Sequence, residues 1–152
     1  NNISYKDKVF VHRDFHVSNI MITKRGLGLI DSQDAVYGNI AYDLASLIDD
    51  VRLKTNIKIK SFVFQQFMKK NKHLEPAKFK KDFEILSILR NLKIIGIFSR
   101  LSIRDKKRKY LKLIPYAWKL IDYRIRNNPI FDDLNYLLNQ NFDKKIRKIY
   151  EN

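Results

Sequence analysis

The residues best suited to chemistry lie close together, in the run His12-Arg13-Asp14-Phe15-His16-Val17-Ser18-Asn19 and, twelve residues after Asn19, in Asp31 of Gly28-Leu29-Ile30-Asp31-Ser32. Phosphoryl transfer asks little covalent work of a protein. It needs one carboxylate beside the acceptor hydroxyl and hard oxygen ligands for magnesium, so that reactants are positioned and charge is neutralised. Asp14 suits the first task, and Asn19 with Asp31 the second. On its own, the spacing His-x-Asp-x-x-x-x-Asn favours such a site but is also compatible with an ordinary loop in which Asp and Asn cap a helix. Asp31, at the end of a short apolar segment, strengthens the case for a site.

The spacing also predicts the elements that must hold these side chains. Val9-Phe10-Val11 and Ile20-Met21-Ile22 read as short strands on either side of the polar loop, with Leu27 to Ile30 as a third. Lys24-Arg25-Gly26 supplies the turn between the last two. Such a hairpin brings Asn19 and Asp31 to the same end of adjacent strands, within reach of one ion. Gly26-Leu27-Gly28 is the only G-x-G and falls in this turn rather than between a strand and a helix, so it does not read as a phosphate cradle; there is no Walker-type loop.

His12 to Asn19 resembles the catalytic loop of the aminoglycoside phosphotransferase family, whose members share the protein-kinase fold. Asp31-Ser32-Gln33-Asp34-Ala35 through Gly38, with Asp43-Leu44-Ala45, resembles that family's metal-binding segment and the helix after it. Further along, Arg90 to Leu101, Arg104-Asp105, Arg108-Lys109-Tyr110-Leu111 and Pro115-Tyr116-Ala117-Trp118 are similar to the bacterial branch of anomeric N-acetylmuramate and N-acetylglucosamine kinases. The matching stretches run from about residue 9 to residue 140.

The resemblance implies an α+β, mainly α fold: the C-terminal lobe of a protein-kinase-like fold, with short β-hairpins carrying the catalytic and metal-binding loops. It implies an ATP-dependent kinase acting on a hydroxyl of a small molecule, an amino sugar in the first instance and another small alcohol such as an aminoglycoside, choline or homoserine in the second. Asp14 is then the catalytic base or hydroxyl-orienting residue, Asn19 and Asp31 the magnesium ligands, and His12 and Asp43 supports of the catalytic loop, His12 by hydrogen bonding. Asp43 can equally cap the helix that follows. His16, Asp34 and Arg100 are candidates for substrate contact or for bracing the site; Asp34 is open between a second metal, substrate, and tying down Ser32 and Gln33. The absence of Asp-Phe-Gly and Ala-Pro-Glu sequences, and His16 where protein kinases often carry lysine, favour a small acceptor over a protein. Asn39 departs from the aspartate frequent among related proteins.

Only eight residues precede Val9, too few for a nucleotide-covering lobe with its strands and lysine. The expectation is a single domain over residues 1–152 lacking that N-terminal lobe, with residues 142–152 as a frayed tail and with negligible turnover by the chain alone. Magnesium and ATP, ATP as a substrate, are the expected companions, and the cytoplasm the expected location. A basic helical binding module is the non-enzymatic alternative.

Composition sets bounds. There is no cysteine, which excludes disulfides and thiolate metal sites, and His12, His16 and His73 are the only histidines, which disfavours zinc. No apolar run approaches the roughly 20 residues of a membrane-spanning helix, so no membrane partner is expected. The formal charge is +15, but residues 1–52 carry −1 and residues 53–152 carry +16. The excess lies outside the catalytic segment in a chain rich in Lys, Ile and Asn. It reads as a solvated surface rather than a nucleic-acid footprint.

Apolar spacing predicts helices from about Asp43 through Val51, over 59–70, from Pro76 to about Phe79, over 80–103, over 110–125 and over 131–138. Asn127-Asn128-Pro129 is the expected stop after the fifth. The 80–103 segment, with Phe83, Leu86, Leu89, Ile94, Ile97 and Leu101, reads as a buried central helix from which Arg90, Lys93 and Arg100 extend to the surface. Trp118 reads as core packing.

Overall fold

The computed structural model describes residues 3–6, 8–126 and 128–148. They fall into two compact units, residues 1–87 and 88–152, each with its own packing.

In the first unit, four short strands form two antiparallel pairs. Strand β1 (Val9–Val11) pairs with β4 (Val36–Gly38) in the register Val9↔Gly38 and Val11↔Val36. Strand β2 (Ile20–Thr23) pairs with β3 (Gly26–Leu29), Ile20 opposite Leu29 and Thr23 opposite Gly26. The expected hairpin is therefore present, with Ile30 just outside it, while β1 finds its partner in a strand that the apolar pattern did not announce. Gly26 takes φ +114, a left-handed value that a side chain would resist, and Thr23 Oγ1 donates to the Gly26 carbonyl at 2.8 Å to close the turn. A 3-10 turn over Val17–Asn19 leads straight into β2.

Helix α1 (Ala41–Ile48) begins where the Asn39 side-chain oxygen accepts the Ala41 N–H at 2.8 Å. It stops at Ile48, short of the expected Val51, which is nevertheless buried. Helix α2 (Ile57–Lys70) is capped by Asn56, whose Oδ1 accepts the Ile59 N–H at 2.9 Å. Helix α3 (Pro76–Ile103) is one continuous helix where two elements were expected, because nothing between Phe79 and Lys80 breaks the helical pattern. Ala41, Leu44, Ala45 and Ile48 pack with Leu74, Phe79 and Phe83, and the α2 rings of Phe64 and Phe67 close on Phe79 at centroid distances of 5.8 and 5.2 Å. Lys60 is buried beside Asp49 at 3.0 Å, and Ser87 donates to the other Asp49 oxygen at 2.5 Å.

The second unit holds the remainder of α3, a 3-10 segment over Arg108–Leu113, α4 (Ile114–Ile125), α5 (Asp132–Asn141) and α6 (Lys144–Lys148). The Asn128 side chain accepts the Ile130 N–H and starts a 3-10 turn that leads into α5; Asn127 lies outside the described residues. Trp118 is buried, as expected of a core residue. Two expectations fail here. Arg90 does not reach the surface but is 4% exposed, and Leu89, expected inside, is 55% exposed: the buried stripe of α3 runs instead through Phe83, Ile88, Ile94 and Phe98. Beyond residue 141, in the stretch expected as a tail, the described residues include α6. Arg147 is buried, stacked 4.7 Å from the Trp118 ring and bonded to Asp122, Asn139 and the Phe142 carbonyl at 2.8, 2.8 and 2.9 Å. Residues 149–152 lie outside the described residues. No helix among the described residues is long and apolar enough to cross a membrane.

Candidate active site

The polar loop between β1 and β2 folds on itself through its own backbone. The Asp14 carbonyl accepts the His16 N–H at 3.0 Å, and the His16 carbonyl accepts the Asn19 N–H at 2.9 Å. Asn19, 8% exposed, adds its side chain to this turn: Nδ2 donates to the Asp14 carbonyl at 3.0 Å and lies 3.5 Å from Asp31 Oδ2. At the open end of the hairpin, away from its turn, the Ile30 N–H donates to the Asn19 carbonyl at 3.1 Å, which extends the β2–β3 ladder by one pair and delivers Asp31 beside Asn19. Asp14, Asn19 and Asp31 thus converge, the first through its main chain and the others through their head groups.

Two residues here hold left-handed backbone without being glycine, Arg13 at φ +70 and Asp31 at φ +69. Such a conformation costs on the order of 1 kcal/mol and persists only where neighbours enforce it. For Arg13 the enforcing group is Asp43 on α1. Its carboxylate accepts the His12 N–H at 2.7 Å and the Arg13 N–H at 3.0 Å, and Ser46 Oγ donates to the Arg13 carbonyl at 3.4 Å. For Asp31, Gln33 Nε2 donates to Oδ1 at 2.7 Å. Asp43 therefore spends both carboxylate oxygens on the loop, and capping of α1 falls to Asn39.

His12 is buried at 2% exposure with its ring edge-on to Phe15, and neither ring nitrogen has a hydrogen-bond partner among the described residues. Its hydrogen bonding to the loop runs through its main chain to Asp43, not through the imidazole. His16 is buried within the turn. Asp34 is exposed; its carbonyl accepts Arg13 Nη1 at 3.2 Å, and no described hydrogen bond reaches its carboxylate. Arg100 lies exposed on α3 in the second unit, where its charge helps hold the Asp105 carboxyl below its ordinary range after the larger effect of Arg104.

A bracing residue that sequence reasoning passed over is Asp82, wholly buried on α3. Its carboxylate accepts the Ser4 and Tyr5 N–H groups at 2.7 and 2.8 Å and Asn39 Nδ2 at 2.9 Å. Through Asn39 it fixes the start of α1, hence Asp43, hence the loop. No local signal gives this away, since the partners are 43 and more residues apart; the one clue was an Asn two positions before a helix start.

The donor set suits a hard divalent cation. The Asn19 amide and the Asp31 carboxylate lie side by side, Nδ2 3.5 Å from Oδ2. Asn19 Nδ2 is committed to donation, which leaves Oδ1 as the atom that could ligate a cation, and Asp31 is exposed. Among the described residues no group of three or more His, Cys, Asp or Glu could hold a metal alone. Two protein oxygens with the rest from phosphate and water is the usual magnesium arrangement in nucleotide sites.

Residues 4–59 match the family described as the phosphotransferase enzyme family. Among curated relatives, the N-acetylmuramate/N-acetylglucosamine kinase of Neisseria meningitidis serogroup B is 40% identical over 114 residues, covering 71% of this chain and 34% of the relative. The enzyme of the same name from Pseudomonas putida is 31% identical over 137 residues, 86% of this chain and 40% of the relative. That from Caulobacter vibrioides is 32% identical over 119 residues, 75% and 33%. The chain spans a third to two-fifths of the length of these relatives.

Proposed function

We propose, from the match of residues 4–59 to the phosphotransferase enzyme family, that this chain is the catalytic and metal-binding lobe of an ATP-dependent small-molecule kinase. The acceptor is a hydroxyl of an amino sugar of the N-acetylmuramate or N-acetylglucosamine kind, the substrates named for the relatives above. The observation that carries the reading is the convergence of Asp14, Asn19 and Asp31 at one end of the β2–β3 hairpin.

In that reaction the acceptor oxygen forms a bond to the γ-phosphorus as the bond from that phosphorus to the departing ADP oxygen breaks. Asp14, half-buried and with no described hydrogen bond on its carboxylate, orients the acceptor hydroxyl and takes its proton. Asn19 and Asp31 would hold magnesium, which supplies neutralisation of phosphate charge. Asp43 keeps Arg13 in its left-handed conformation and so aims Asp14. ATP chemistry would put such a protein in the cytoplasm.

The test is a chimaera in which this chain replaces the matching third of the Neisseria meningitidis relative. The expected result is ATP-dependent phosphorylation of N-acetylmuramate or N-acetylglucosamine, with kcat lowered at least about 1,000-fold by Asp14→Asn. A folded chimaera that phosphorylates neither sugar, or an Asp14→Asn variant as active as its parent, would overturn the proposal.

A further inference from the structure

The two carboxylate oxygens of Asp31 have different neighbours. Oδ2 lies 3.5 Å from Asn19 Nδ2, while Oδ1 accepts Gln33 Nε2 at 2.7 Å. The backbone places Gln33 for this contact. The Ser32 carbonyl accepts the Ala35 N–H at 3.0 Å, closing a turn with Gln33 and Asp34 at its central positions. Arg13 ties down the far side, its Nη1 donating to the Asp34 carbonyl at 3.2 Å, and Asp43 holds the Arg13 backbone. Directly after Ala35 the chain enters β4, paired residue for residue with β1. The Gln33 side chain therefore reaches back two positions from a turn fixed at both ends, onto the oxygen other than the one beside Asn19.

A carboxylate can hold a divalent cation through one oxygen or through both. Magnesium is small and demands near-octahedral geometry, which the narrow bite of a chelating carboxylate serves poorly; calcium takes about six to eight oxygens and accepts both from one carboxylate. Gln33 bears on that choice. A bidentate grip would have to draw Oδ1 away from a 2.7 Å hydrogen bond, whereas a grip through Oδ2 alone leaves the bond intact. An amide also has the right chemistry for the task. A carboxylate at 33 could not donate to Oδ1, and a lysine would donate but set a second cation beside the ion. Among the described hydrogen bonds, only those from Asn19 and Gln33 reach the Asp31 carboxylate, so these two side chains set its angle.

We infer that Gln33 is a positioning residue for Asp31: it holds Oδ1 so that the carboxylate meets a divalent ion through Oδ2 alone, which tunes the site towards magnesium and against calcium. The inference rests on the proposed reading of Asn19 and Asp31 as metal ligands and adds the residue that selects the ion. Its readout is metal binding. The 152-residue chain, labelled with ¹⁵N, is titrated at constant ionic strength with Mg²⁺ and, separately, with Ca²⁺, and the amides of Asn19, Ile30 and Asp31 are followed. Gln33→Leu removes the donor at similar volume, and Gln33→Ala removes it without adding an apolar side chain to the surface. In both variants the ratio of Mg²⁺ to Ca²⁺ affinity is expected to fall at least about five-fold, through weaker Mg²⁺ binding, stronger Ca²⁺ binding or both. A merely structural role would weaken both ions alike. A ratio that falls by less in either variant, stays constant or rises would overturn the inference and leave the two ligands in place. Failure of the parent chain to show saturable Mg²⁺ shifts at these amides would overturn both the inference and the assignment of Asn19 and Asp31.

Discussion

Asn39 donates from Nδ2 to the wholly buried carboxylate of Asp82 at 2.9 Å while its own Oδ1 receives the first N–H of α1. An aspartate at 39 could still accept from Ala41 but would set a second carboxylate against Asp82. Asn39→Asp is therefore expected to destabilise the chain by about 2 kcal/mol, an unpaired buried charge outweighing the retained cap. Asp82→Asn in that background restores a donor between the two positions and should recover at least about 1 kcal/mol. Urea denaturation of the two single variants and the double variant measures the coupling. Additive effects would show that the contact does not carry the stability assigned to it.

Arg13 provides a second check, because its backbone and side chain can be separated. With φ +70 held by two N–H contacts to Asp43, Arg13→Gly should leave stability unchanged or raise it by up to about 1 kcal/mol. Arg13→Val, β-branched in a left-handed conformation, should cost more than about 1 kcal/mol. Thermal melts of both variants read the difference, and equal melting temperatures would deny that the loop is strained.

What could be read from residues alone follows the range of the interactions. The β2–β3 hairpin, its Lys24-Arg25-Gly26 turn and the approach of Asn19 to Asp31 are local, set by alternation and a glycine, and they emerge as expected. The pairing of β1 with β4 joins three-residue segments 25 residues apart, too short for periodicity to mark, and Asp82 reaches Asn39 across 43 residues with no pattern to betray it. Polarity misled at the tail: Lys144-Lys145-Ile146-Arg147-Lys148 looks solvated, yet Arg147 is buried because a guanidinium can lie flat on Trp118 and still satisfy its donors on Asp122 and Asn139. The same applies to Arg90, whose spacing among apolar residues suggested an extended surface side chain rather than the buried one observed.

The central claim is that Asn19 and Asp31 hold one divalent ion beside Asp14, and manganese reports it by proximity. In ¹⁵N-labelled chain with ATP present, sub-stoichiometric Mn²⁺ should broaden the amides of Asp14, Asn19, Ile30 and Asp31 ahead of all others, with the effect lost in Asp31→Ala and reduced at least ten-fold in apparent affinity in Asn19→Ala. Broadening that centres on other acidic residues, or that survives both substitutions unchanged, would contradict the account.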